Sequence, residues 1–374
     1  MRRPRARTLL AALVVAALGI LAASRREPNA TAKPHHPNRP GHARTHEQPR
    51  RARRPLAADS PWASRDACLL ALKTGRAARD PGVARIGAWN LHWFPDGGPG
   101  RPRPDGGADL EWLACGIAWM HVDVLAVEEI KRPPEGEAGL ATLRQKLDAL
   151  TGGSWQSLLD DCPHASSQHV GLLYDARRVK LASSATVGAL NPLGEPCKNQ
   201  LRPGLAGYFR FPGGLDLSVV AAHLKSGADE RGLTDRALSL DAFAGAAASV
   251  AQRTHDQDVL FIGDMNSMGC ETCDPVVSSG AELTRLDAAL ARAGAPIARI
   301  SAEPACSHHY GGQSILLDWA AKSDLSELPS ERHVTVSGPC GELGCEDLTG
   351  ELHYHRSLSD HCPIWLDVDD RDRD

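Results

Sequence analysis

The chain has 374 residues, of which 42% are hydrophobic and 24% charged, so it is long enough to bury a large core. Its formal charge of −4 is unevenly placed: residues 1–54 hold 13 Lys+Arg against 2 Asp+Glu, leaving the remainder at −15. An acidic body lacks the bulk electrostatic footprint of a nucleic-acid binder, so any polyanionic substrate must be attracted by bound cations or a few local arginines.

The N-terminus reads as a targeting segment. Four arginines in Met1–Arg7 precede an almost wholly apolar run, Thr8–Ala23, that ends in Ala22-Ala23-Ser24. A basic head, a short apolar middle and small residues describe a secretory signal over 1–24, slightly short for a membrane span. Cleavage near Ser24 is expected, with an uncleaved anchor over residues 8–23 as the alternative, so the protein is read as secreted or periplasmic. Residues 25–60 are rich in Arg, Pro and His and poor in large apolar side chains, and they read as a disordered basic linker. The body, 61–374, contains all ten cysteines, which behind a secretory signal argues for disulfides. Cys340-Gly-Glu-Leu-Gly-Cys345 reads as one closed loop, and Cys270-Glu-Thr-Cys273 as a close pair, with a zinc site as the lesser alternative.

Along the body, strands and helices alternate. Strands are expected at Val83–Trp89, Val122–Val127, 169–174, 215–222, Asp258–Ile262, Ser314–Ala321 and Pro363–Val368. Helices are expected at Asp109–Met120, Ala138–Leu150, Leu233–Gln252 and Leu283–Ala293, the last stopped by Gly294. Long helices between apolar strands imply sheets covered by helices, an α/β layered body.

Polar groups collect where the strands end: Asn90 and His92 in Asn-Leu-His-Trp, Glu128-Glu129, His223 in His-Leu-Lys-Ser, Asp264 and Asn266 in Gly-Asp-Met-Asn, Asp318 in Leu-Asp-Trp, and Asp360-His361 in Ser-Asp-His-Cys-Pro. Core packing does not require such a pattern, and clustered carboxylates repel one another unless a cation sits among them. Asp264 and Asn266 are two apart and project from one side if the extended backbone persists past Gly263; an Asx turn after a core strand is the plainer reading.

This ordered set resembles the endonuclease/exonuclease/phosphatase (DNase I-like) superfamily, from about Arg85 to Val368. The resemblance implies a four-layer α/β/β/α sandwich, two packed β-sheets flanked by helices, with a metal-dependent site at one edge. By the same resemblance Asn90, Glu129 and Asp360 lie on the metal side, with Glu129 as a direct Mg²⁺ ligand and Mn²⁺ or Ca²⁺ as alternative ions. Asp264 and Asn266 match the pair that handles nucleophile and phosphate, Asp318 and His361 a carboxylate–imidazole couple, and His223 a second histidine near the phosphate. Glu128 stands where relatives commonly carry Gln, and His92 where some nucleases carry a carboxylate. Arg202 matches a position near the phosphate, with a solvated loop arginine as the alternative, and Lys225 is a further substrate-binding candidate.

The residue chemistry agrees with these roles. A hard dication held by carboxylates neutralises the phosphodiester, and an imidazole oriented by a carboxylate moves protons near neutral pH. Residue types leave open which of Asp264 and His361 activates water and which protonates the leaving oxygen. His308 and His309 beside Cys306 read as a rim loop, and Trp89, Trp93, Trp112, Trp119 and Trp365 as core aromatics. The leading expectation is therefore a secreted Mg²⁺-dependent phosphodiesterase acting on DNA or RNA. The alternatives are a phosphatase or phospholipase C-type hydrolase of small phosphate esters or lipids, such as sphingomyelin or a phosphoinositide, and a catalytically silent binding protein. No protein partner is expected.

Overall fold

The computed structural model describes residues 55–162, 168–191, 201–292, 297–310, 313–329, 332–345 and 352–373. The expected signal segment, all but the end of the linker, and Gly294 lie outside these residues; the described residues form one compact unit.

Two mixed sheets make the core. One has seven strands in the order Ala302–Glu303, Val334–Val336, Ile364–Asp369, Val83–Phe94, Val124–Lys131, Gln168–Asp175, Trp155–Leu159. The other has six, in the order Ala298–Ile300, Asp318–Lys322, Val259–Asp264, Asp216–His223, Gly204–Arg210, Lys180–Val187. Strand parity shows how they stack. Ile86, Ala88, Val124, Ala126, Val219, Ala221, Leu260, Ile262 and Ala320 belong to a single buried cluster fed by both sheets, which is the layer between them. Residues of opposite parity join two outer clusters: Trp89, Leu125 and Val127 pack on the helices Leu110–Met120 and Glu135–Thr151, while Val220, Phe261 and Trp319 pack on Phe243–Thr254 and Ser279–Arg292. The result is the expected α/β/β/α sandwich.

Local chemistry sets the helix ends. The Asp109 carboxylate accepts from the amides of Glu111 and Trp112 at the start of Leu110–Met120, and Gly152 takes the left-handed conformation that ends Glu135–Thr151. The Ala-rich stretch expected as one helix is two, Glu230–Asp241 and Phe243–Thr254. They part because Arg236 anchors the first to the loops beneath the site while Phe243 stacks on Phe261, 4.5 Å between centroids, in the outer layer.

The single strand expected over Ser314–Ala321 also divides. Gln313–Ile315 pairs with His308–Tyr310, and the chain turns at Leu316 before Asp318–Lys322 enters the second sheet. The turn is held by Ser307, whose Oγ accepts from the amides of Leu317 and Asp318 at 3.1 and 2.8 Å.

Four disulfides lie among the described residues: Cys68–Cys115, Cys270–Cys273, Cys306–Cys345 and Cys340–Cys362. Cys270 and Cys273 therefore pair with each other rather than ligating zinc. The Cys340–Cys345 loop does not form. Cys340 lies on the helix Gly338–Leu343, which ends before Cys345, and the two cysteines pair with Cys362 and Cys306 respectively.

Candidate active site

The apolar faces between the sheets become polar at one end. Continuing the interlayer parity, Ile86 and Ala88 lead to Asn90, Val124 and Ala126 to Glu128, Val219 and Ala221 to His223, Leu260 and Ile262 to Asp264, and Ala320 backwards to Asp318. Ladder register sets these groups side by side: Asn90 pairs with Glu128, and Asp264 with both His223 and Asp318. An isolated bridge between His308 and His361 brings in the segment before the last strand.

Asp264 is the junction. Its Oδ2 accepts from Asn90 Nδ2 at 2.8 Å and lies 3.3 Å from His223 Nε2 and 3.8 Å from His361 Nε2. Its Oδ1 accepts from the amide of Asn266 at 2.9 Å. That bond is the Asx turn of the plainer reading, and Asn266 has φ 52°, so the extended backbone does not persist and the two side chains do not project in parallel. Asn266 Nδ2 donates instead to the Leu224 carbonyl, at 3.2 Å. Gly263 sits inside the strand at φ 143°, where a Cβ would lie 2.2 Å from the Ala222 carbonyl oxygen and 2.6 Å from Glu128 Oε1. Only glycine lets this strand close on its neighbours.

The expected carboxylate–imidazole couple is present: His361 Nδ1 and Asp318 Oδ2 are 2.8 Å apart, and Ser307 Oγ donates to the same oxygen at 2.7 Å. Burial works against a charged imidazole, but Asp318 and Asp264 outweigh it and hold His361 well above its ordinary pKa. His223 moves the other way: burial, with Arg202 and His361 beside it, keeps it well below.

Glu129 and Glu128 are separated by a bulge. The ladders on both sides of this strand shift register there, and Glu129 takes φ 59°. Consecutive side chains can then both serve the site. Glu129 Oε2 accepts from the Trp93 amide at 2.9 Å, and the Glu129, His223 and Asp264 ligand atoms lie within 4.8 Å of one another. Glu128 is fully buried, and neither of its oxygens has a hydrogen-bond partner among the described residues. Burial, then Asp318 and Asp264, push its carboxyl well above the usual range. Orphaned carboxylate oxygens among further carboxylates are the donor set a hard dication takes, so the residues fit a divalent ion.

Asp360 lies on the other flank, with Oδ1 2.7 Å from His92 Nδ1 and Oδ2 3.8 Å from His308 Nε2. Burial alone would raise its pKa, but the hydrogen bonds from His308 and His92 hold it well below the usual range. His308 is thus no rim residue: it is buried, and its ring centroid lies 4.7 Å from that of His361. His309 is buried as well. The sequence reading missed Ser307 and His308 because neither stands at the end of a main-sheet strand.

Arg202 is buried rather than solvated, donating to Gln168 Oε1 at 3.1 Å and the Leu224 carbonyl at 3.2 Å, in the field of Glu129 and Asp264. Lys225 is partly exposed, with Nζ donating to the Ser226 carbonyl at 2.6 Å. Of the large aromatics, Trp89, Trp112 and Trp365 are buried as expected, while Trp93 and Trp119 are half-buried.

No family model matches the sequence, and no curated protein does. Solved structures match throughout the body. D. rerio TDP2 complexed with a single-strand DNA product superposes with a TM-score of 0.50 at 16% identity, over 77% of this chain and 99% of that one. The endonuclease/exonuclease/phosphatase from Bacteroides vulgatus gives 0.51 at 12% identity, over 76% and 98%. That from Beutenbergia cavernae gives 0.50 at 18%, over 77% and 71%. With two helix-flanked sheets meeting in one polar mouth, the chain has the fold of the endonuclease/exonuclease/phosphatase, or DNase I-like, superfamily.

Proposed function

We propose that the chain is a secreted, divalent-metal-dependent phosphodiesterase that hydrolyses DNA or RNA, its residues 61–374 forming the catalytic domain. The observation that carries this reading is the convergence on Asp264 of two overlapping groups, Glu129 with His223 and Asp318 with His361. A carboxylate set for a cation and an oriented imidazole for proton transfer thereby share one mouth.

Glu129 and Asn90 would hold the ion, with Asp360 on the flank. A bound Mg²⁺ supplies neutralisation of the phosphate oxygens as negative charge grows there. Asp318 fixes the His361 ring through Nδ1 and leaves Nε2 facing Asp264. Hydrolysis needs one proton taken from water and one given to the leaving oxygen, and Asp264 and His361 are the two groups placed for these transfers. His223 and the Asn266 amide are hydrogen-bond donors for the phosphate oxygens, and Arg202 and Lys225 bring positive charge to the same mouth. Nucleic acid is favoured as substrate because the D. rerio neighbour holds a single-strand DNA product. Secretion is supported by the N-terminal sequence and by the disulfides.

The test is to incubate the purified protein with plasmid DNA, RNA and sphingomyelin, each with Mg²⁺ and with a chelator. Cleavage of DNA or RNA that the chelator abolishes is expected. Turnover of the lipid alone would overturn the nuclease reading, and no turnover of any substrate under several metals would favour a binding protein.

A further inference from the structure

At the opposite end of the strand that carries Asp264, a second group of carboxylates gathers. Asp258, just before Val259–Asp264, Glu327, in the turn after Asp318–Lys322, and Asp372, beyond Ile364–Asp369, each bring an oxygen within 4.8 Å of the others. The first two segments belong to the six-stranded sheet and the third to the seven-stranded one, so the group spans both layers. Asp258 and Glu327 are buried, while Asp372 is exposed.

Acidic residues gather on many surfaces without binding anything, but Glu327 is not on the surface. Its Oε1 accepts from Ser326 Oγ at 2.9 Å and from the Arg373 amide at 2.8 Å. Its Oε2 is buried and has no hydrogen-bond partner among the described residues. The Arg373 guanidinium, the cation borne by the residue whose amide reaches Glu327, pairs with Asp369 instead. A buried carboxylate oxygen without a donor, beside two further carboxylates, is unfavourable through both desolvation and like-charge repulsion. A dication removes both penalties.

We infer that Asp258, Glu327 and Asp372 form a calcium site distinct from the candidate active site. Calcium suits carboxylates drawn from three separate segments better than magnesium, which demands near-ideal octahedral geometry. Ca²⁺ takes six to eight oxygens in a flexible arrangement, so three carboxylates leave about three to five positions for water. Water reaches the group from the side of Asp372. Six residues of strand at ~3.3 Å each put the site about 20 Å from Asp264, so the inference does not depend on the hydrolase reading. Bound there, the ion clasps the exit of the last strand to the entry of the strand bearing Asp264.

Calorimetric titration of the full chain with Ca²⁺ tests this, run on the wild type, Glu327→Gln and Asp372→Asn. Each variant is expected to bind one Ca²⁺ fewer per chain, or to bind it at least tenfold more weakly. Ca²⁺ is also expected to raise the wild-type thermal midpoint by a few degrees and the variants' by less. Should Glu327→Gln fail to fold, the exposed Asp372→Asn still decides. Unchanged calcium binding and an unchanged thermal shift in Asp372→Asn would overturn the site, and so would calcium binding abolished by Glu129→Gln alone, which would put the ion at the active site.

Discussion

At the scale of single residues, two carboxylates define what the site requires. Asp318 holds the His361 ring at 2.8 Å and sustains its charge, so Asp318→Asn should cost hydrolysis about 10²- to 10⁴-fold while leaving KM little changed. Steady-state kinetics with Mg²⁺ check this, and a loss confined to KM would assign Asp318 to binding. Glu128 makes a different prediction because both of its oxygens are buried without a donor among the described residues. Its carboxyl is raised well above the usual range by burial and by Asp318 and Asp264, so its stabilising contribution is complete below about pH 4.3 and is lost as pH rises toward its folded-state pKa. Glutamine cannot ionise. Metal-free Glu128→Gln should therefore gain on the wild type by up to about 1.4 kcal/mol per pH unit above ~4.3, and saturating Mg²⁺ should shrink the gain. Urea melts at pH 5 and 8, with chelator and with Mg²⁺, measure it. No gain at pH 8 without metal would mean that the protein compensates this charge by itself.

At the scale of elements, the loops under the site are tied to a helix through Arg236. Its guanidinium is fully buried and pairs with Glu282 at 2.6 and 3.0 Å while donating to the carbonyls of Lys225, Gly227 and Gly269. Those carbonyls belong to the segments that follow His223 and Asn266. Arg236→Ala leaves Glu282 buried with its charge unpaired, so a loss of about 3–5 kcal/mol is expected by denaturant melting. Arg236→Ala combined with Glu282→Ala should recover part of it. This anchor also shows where sequence reading stops. The strand ends were legible because buried apolar runs stop at polar residues, which exposes Asn90, His223 and Asp264 one at a time. The break at Ala242 was not legible, since an Ala-rich stretch favours helix throughout and only tertiary contacts at Arg236 and Phe243 divide it. The strand Lys180–Val187 escaped because it is an edge strand, largely exposed, with no alternation of apolar residues to read. Ser307 and His308 escaped because they arrive through a hairpin bridged to His361, a pairing that no local pattern encodes.

At the scale of the whole molecule, the charge distribution poses a problem for a nuclease. Residues 55–374 carry a formal −15, so a polyanionic substrate is repelled at long range, while residues 25–54, which cleavage near Ser24 would leave in place, hold 9 Lys+Arg against 2 Asp+Glu. At the mouth, Arg202 is buried against Gln168 and the Leu224 carbonyl. Long-range attraction by the basic N-terminal residues is expected to add to that of bound cations and local arginines, and its dependence on salt separates it from contacts inside the site. Cations that neutralise phosphates release counterions, so their contribution falls steeply with ionic strength, by a log–log slope of about −0.9 per phosphate on duplex DNA. At 50 mM salt residues 25–374 should therefore cleave duplex DNA with a kcat/KM several-fold above that of residues 55–374, the gain lying in KM. Above about 200 mM, where charges are screened beyond roughly 7 Å, the two should converge. A small phosphodiester such as bis-p-nitrophenyl phosphate offers the basic segment no polyanion to hold, so both forms should hydrolyse it equally at every salt concentration. Parallel salt profiles on DNA would show that the basic segment plays no part in capturing substrate, and would move the whole of the attraction to the metal and the cations at the mouth.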